Sequence, residues 1–154
     1  MGDKETFRKI RELLSKLTDE HKKLLKEGEY IKGKLEEGIN KDTIEKIENF
    51  LSEVNKHAYV EENDLDNLIN EAGITEFDTE ALNFGHRTLE EIEEYINFLI
   101  NKYKDGEDEY RGKSINYHLK KSFNEYLTTL KDHFTEEEFY FFPDILKFSY
   151  VDEI

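Results

Sequence analysis

Residues 133–143 read His133-Phe134-Thr135-Glu136-Glu137-Glu138-Phe139-Tyr140-Phe141-Phe142-Pro143. A histidine and a carboxylate stand four apart in a helical pattern that a proline interrupts. Positions i and i+4 lie one turn apart on one helix face. His133 and Glu137 therefore point at the same spot in an apolar interior. A buried carboxylate is costly there unless a positive partner sits beside it, and a metal ion is one such partner. The arrangement recurs at His57-Ala58-Tyr59-Val60-Glu61-Glu62.

Outward from these two turns, the chain reads as helix almost throughout. From about Glu5 to Glu37, Phe7, Ile10, Leu13, Leu14, Leu17, Leu24, Leu25, Ile31 and Leu35 recur mostly in steps of three and four. His21 falls in that stripe. Thr18-Asp19-Glu20 offers a possible break and recapping, and Gly38 a stop. Asp42 or Thr43 is positioned to cap a second helix. It carries Ile44, Ile47, Leu51, Val54, His57, Glu61, Leu65, Leu68 and Ile69 and ends at Gly73. A third starts at Asp78 or Thr79, with Leu82, His86, Leu89, Ile96, Leu99, Ile100 and Tyr103 on one side, and closes at Lys104-Asp105-Gly106. Glu107 to Gly112 reads as a polar loop. A fourth runs from about Ser114, with Leu119, Phe123, Tyr126, Leu127, Leu130, His133, Phe134, Glu137, Tyr140 and Phe141 inward, until Pro143 ends it or begins a short final turn. Four such helices with short connections predict an all-α, antiparallel up-down-up-down four-helix bundle forming a single domain over 1–154.

Bulk composition narrows the chemistry. The net charge of -15 argues against nucleic acid and anionic membranes, which call for a basic surface. With no cysteine, disulfides and thiolate metal sites are excluded. The start, Met1-Gly2-Asp3-Lys4-Glu5, lacks the layout of a signal peptide, so a cytoplasmic location is the expectation.

Asp and Glu make up 37 of 154 residues, so one His-x-x-x-Glu alone is uninformative. The joint pattern carries the signal: two such turns on alternate helices and a lone histidine on each of the other two. His21 lies 16 residues before Glu37 and His57 lies 15 after Asp42, which puts them at one height. His86 and His133 match likewise about the third connection. Between the second and third helices an offset of about 12 Å remains at ~1.5 Å per residue, half of it removed by Glu61. The candidate ligands are His21, His57, Glu61, His86, His133 and Glu137. Four imidazoles and two carboxylates suit two first-row cations, iron or manganese before zinc. If both carboxylates bridge, an oxide or hydroxide completes five ligands and leaves a position open.

Ferritin-like di-iron bundles use Glu-x-x-His, the opposite order and a shorter spacing. The residues here instead resemble the hemerythrin-like family, the HHE cation-binding domains, over roughly residues 10–145. The resemblance rests on His133-x-x-x-Glu137-Glu138 leading to Phe141-Phe142-Pro143, and on His57-x-x-x-Glu61-Glu62 leading to Leu65. It implies a four-helix bundle with two non-heme iron ions, oxo- or hydroxo-bridged and also bridged by Glu61 and Glu137. Oxygen-carrying members have a further histidine four residues after the one on the third helix; here that position is Glu90, either a seventh ligand or a surface residue. The four-histidine set is similar to that of di-iron proteins that repair iron–sulfur clusters, which usually carry a cysteine-containing domain that this sequence lacks.

The implied function is binding or sensing of O2, NO or peroxide. The alternative is an enzyme that reduces peroxide or NO, or donates iron to damaged clusters. An acidic helical interaction module without metal is the third possibility. Tyr59, Tyr126 and Tyr140 are candidates to meet a bound ligand, but amphipathic packing with the hydroxyl at the core edge is the favoured reading for each. Glu62, Glu136 and Glu138 read as a solvated face, His118 as a surface or distant supporting residue, and Gly85 as either a point of close helix approach or incidental.

Overall fold

The structure, a computed structural model, describes residues 2–74 and 79–153. Helix α1 spans Gly2–Glu36 and α2 spans Lys41–Val60. A π-helical turn at Glu61–Leu65 joins α2 to α3, Asp66–Glu71. Helix α4 spans Thr79–Lys104, and a hairpin of β1 (Glu109–Tyr110) and β2 (Lys113–Ser114) leads into α5, Ile115–Glu136. A second π-turn, Glu137–Phe141, joins α5 to α6, Phe142–Glu153. Among the described residues the fold is all-α apart from the hairpin. No helix of the described residues is long and apolar enough to cross a membrane.

Local chemistry explains most boundaries. Helix α1 runs through Thr18 without a break, because its hydroxyl donates back to the Leu14 carbonyl at 2.9 Å and caps nothing. The cap of α2 is Asn40 rather than Asp42 or Thr43: its side-chain oxygen accepts from the Thr43 N–H at 2.9 Å. Ser114 caps α5 by accepting from the Tyr117 N–H. Asp78 lies outside the described residues, as does the side chain of Leu82. The expected loop at 107–112 contains the hairpin turn, with φ 49° at Arg111 and 78° at Gly112. Two successive left-handed residues match the twist of a tight hairpin. Nor does Pro143 end the last helix. The Phe142 N–H reaches back five residues to the Glu137 carbonyl, widening the turn just before the ring.

Helix α1 packs against α2 and α5, α4 packs against α5, and α2 meets α4 more sparsely. Buried apolar residues form two clusters. The larger holds Leu24, Val54, Leu89, Ile96, Leu130 and Phe134; the smaller holds Leu14, Leu17, Leu65, Ile69, Phe142 and Ile145. The change from one cluster to the other falls at the same level on α1, α2 and α5. On α1 it lies between Leu17 and Leu24, around His21. Along α2 and its π-turn it lies between Val54 and Leu65, around His57 and Glu61. On α5 it lies between Phe134 and Phe142, around Glu137. A polar layer thus crosses the interior between two apolar ones.

Gly28 lies where α1, α2 and α5 come closest: an added Cβ would stand 2.5 Å from Leu127 Cδ1 and 3.2 Å from Phe50 Cζ. Gly33, one and a half turns on, would meet nothing within 4 Å. Gly28→Leu is expected to lower unfolding free energy by about 1–3 kcal/mol through overpacking. Gly33→Ala should raise it by up to about 1 kcal/mol through helix propensity. Chemical denaturation of the two variants against the parent checks both.

Candidate metal centre

All six candidate ligands lie in the polar layer, and none is more than 5 % exposed. The i, i+4 spacing behaves as the helix requires. His57 Nε2 is 2.6 Å from Glu61 Oε1, and His133 Nε2 is 2.7 Å from Glu137 Oε1. The other helices close the layer. His86 Nε2 lies 3.0 Å from Glu61 Oε2, His21 Nε2 lies 3.5 Å from Glu137 Oε2, and His21 Nε2 lies 3.1 Å from His57 Nε2. The expected mismatch between the second and third helices resolves here: the helical path overshoots His57 to Glu71, and His86 meets Glu61, one turn further along.

The ligand atoms sort into two groups of four, His21, His57, Glu61 and Glu137, and Glu61, His86, His133 and Glu137. Within each group the atoms lie within 4.8 Å of one another, so either group could hold a metal ion. Both carboxylates belong to both groups.

The outer edges of three imidazoles explain how the inner edges are set. His21 Nδ1 faces Glu138 Oε2 at 3.1 Å, His57 Nδ1 faces Glu20 Oε2 at 2.8 Å, and His86 Nδ1 faces Glu62 Oε1 at 2.8 Å. A carboxylate accepting from Nδ1–H fixes the tautomer and leaves the Nε2 lone pair pointing inward. In that tautomer His21 and His57 present bare Nε2 lone pairs to each other, an arrangement that repels unless a cation or proton lies between them. Four inward atoms, Glu61 Oε1, His133 Nε2 and both Glu137 oxygens, have no hydrogen-bond partner although fully enclosed. Buried polar atoms are rarely left so. A donor set of nitrogen and oxygen with orphaned lone pairs fits a metal ion.

The ionisation of the metal-free site reflects the same crowding. Burial pushes the Glu61 carboxyl up, but the close His21, His57 and His86 imidazoles outweigh it and hold it well below the usual range. Burial and the neighbouring Glu61 charge push Glu137 well above that range. Burial pulls His57 and His86 down, yet Glu61 with Glu20, and Glu61 with Glu62, raise them overall. His133 falls to about 4, through burial first and then the nearby His86.

Three of the supporting residues were not foreseen. Glu62 and Glu138, expected on a solvated face, instead brace His86 and His21, and Glu20 braces His57. The sequence signal was the doubled Glu61-Glu62 and Glu137-Glu138. Neighbours on an α-helix point about 100° apart at 3.6 residues per turn, and each pair stands where a π-turn begins. The first glutamate of each pair enters the centre and the second reaches a histidine of another helix. π-Turns are frequent at functional sites. Glu136 remains exposed. His118 is structural: its Nε2 donates to the Tyr110 carbonyl at 2.6 Å, beside the hairpin. Tyr59 and Tyr140 are exposed and away from the centre, and Glu90 is exposed and outside both groups of four.

Tyr126 is buried, and burial together with Glu93 raises its hydroxyl pKa. It lines a cavity of about 20 Å³ with Val54, His57, His86, Leu89 and His133. One water-sized probe takes up roughly 10–15 Å³. The cavity therefore admits a molecule of one or two heavy atoms beside the imidazoles.

No family model, curated protein or solved structure matched the chain.

Gly85 proves necessary rather than incidental. A Cβ there would lie 2.2 Å from His133 Nδ1 and 2.6 Å from Cε1, and a ring has no flexible end to yield. Gly85→Ala is expected to displace His133 and lower bound metal per chain, read by elemental analysis, while helix content stays at the parent level. Glu62→Gln should weaken metal affinity by about 10–100-fold, the usual cost of altering a residue that braces a ligand. Competition with a chromogenic chelator measures it, and parent-like affinity would mean that Glu62 does not orient His86.

Proposed function

We propose that the chain is a non-heme di-iron protein of the hemerythrin-like type, an antiparallel up-down-up-down four-helix bundle that binds or senses O2, NO or peroxide. The observation that carries this reading is the pair of buried four-residue groups sharing both carboxylates, with orphaned lone pairs facing inward. His21 and His57 would hold one ion and His86 and His133 the other, with Glu61 and Glu137, common to both groups, serving both. Manganese suits the same nitrogen and oxygen donors, and zinc suits them less well.

Each part of the chain then has a stated task. Glu20, Glu62 and Glu138 keep the Nε2 lone pairs turned inward. Phe134, stacked on His21 at 3.8 Å between ring centroids, excludes water from that side. A bound redox-active pair supplies electrons to O2 or peroxide and a Lewis-acid anchor for NO. The small cavity beside His57, His86 and His133 sets the size of what can approach, and its walls of Val54, Leu89 and Tyr126 favour an uncharged diatomic over a hydrated ion.

Mixing the reduced, iron-loaded protein anaerobically with O2 and, separately, with NO tests the reading. A new visible charge-transfer band with at least one gas is expected; its absence with both ends the proposal. Glu61→Ala and Glu137→Ala should each lose most of the bound metal, because each removes charge compensation from both groups at once. Chelation should lower the melting temperature, since an uncompensated buried charge costs about 3–5 kcal/mol and the metal binds the folded state alone. Unchanged melting after complete metal removal would point to a helical module that needs no cation.

A further inference from the structure

The cavity beside the imidazoles has walls from α2, α4 and α5, and two of its lining residues are exposed: Asn55 on α2 and Glu90 on α4. Its mouth therefore lies between α2 and α4, where helix contact is sparse. Outside that mouth runs a broad surface groove lined by Ser52, Asn55, Tyr59, Glu93 and Asn97. Asn55 lines both spaces. Its Nδ2 donates to Glu93 Oε1 at 2.8 Å, tying α2 to α4 across the boundary between groove and cavity. Glu93 is half-buried and lines the groove beside Asn55.

We propose that the Asn55–Glu93 hydrogen bond is a latch across the small-molecule entrance to the centre. Neither residue belongs to the candidate ligand set or its supporting carboxylates. Asn55 is exposed, and an exposed side chain changes rotamer in picoseconds to nanoseconds. The latch can thus release without backbone motion, passing a molecule of one or two heavy atoms and hindering larger ones. The assignment rests on the ligand-binding reading above for what passes through, and on the cavity geometry alone for where it passes.

A gate and a binding contact differ kinetically. Opening a gate raises entry and exit rates together and leaves the dissociation constant unchanged; losing a contact shifts the dissociation constant. The probe is NO, mixed anaerobically with the reduced iron-loaded protein and followed by its charge-transfer band in stopped flow. Asn55→Ala and Glu93→Ala should each raise kon and koff by about tenfold with unchanged metal content. Glu93→Gln, which keeps the accepting oxygen, should behave as the parent. The metal-free protein gives a second reading: oxidation of His57 and His86 by hydroxyl radical, a one-heavy-atom reagent that fits the cavity, mapped by mass spectrometry, should be faster in Asn55→Ala by a similar factor. Parent-like rates in both alanine variants, or a shifted dissociation constant with kon unchanged, would overturn the latch. Should the parent show no band with either NO or O2, the ligand-binding reading fails, and the hydroxyl-radical oxidation rates alone decide the latch.

Discussion

Two carboxylates lie side by side in an interior that would exclude either one alone. Glu61 and Glu137 are almost wholly buried, and three imidazoles hold Glu61 ionised while its charge drives the Glu137 carboxyl towards protonation. A pair of adjacent buried anions is tolerated only with compensating positive charge at close range. Every helix that meets this layer brings something to that end. Helices α1, α2, α4 and α5 each supply a histidine, and two of the four continue as π-turns that begin on the carboxylates themselves. The two apolar clusters above and below remove water from the layer, which strengthens each interaction inside it and raises the cost of leaving any of them unmade.

The outer carboxylates set the direction of the centre. An imidazole alone is ambiguous, since either nitrogen carries the proton. Glu20, Glu62 and Glu138 resolve that ambiguity for His57, His86 and His21 by accepting from Nδ1. These carboxylates are partly exposed while the imidazoles they face are buried. His133 is held differently: its ring packs against the bare Cα of Gly85, so sterics rather than a carboxylate position it. The reading of the chain as a two-cation protein draws on this division, in which inner carboxylates face the centre and outer ones face the imidazoles.

Size and polarity then limit what such a centre could serve. The adjoining cavity has room for a few atoms at most and walls that are largely apolar. That combination suits a diatomic gas or peroxide better than an organic substrate, and it makes access a matter of how α2 and α4 meet at their surface. That sparse contact is bridged at the surface by the Asn55–Glu93 hydrogen bond.

The sequence by itself determined the helices and the identity of the polar layer. Apolar residues in steps of three and four, glycine stops and the two His-x-x-x-Glu turns are local patterns, and the chain within about one turn decides them. His57 with Glu61 and His133 with Glu137 could be paired without coordinates because an α-helix has only one geometry for i and i+4. Tertiary structure alone decided what depends on the rotation and register of one helix against another. Glu62 and Glu138 look like solvated residues on their own helices and become braces only because α4 and α1 bring His86 and His21 beside them. The extra residue in each π-turn, the space that Gly85 leaves for a ring on α5, and the passage between α2 and α4 have the same origin. Each is a distance between segments far apart in the chain, and no periodicity within one segment encodes it.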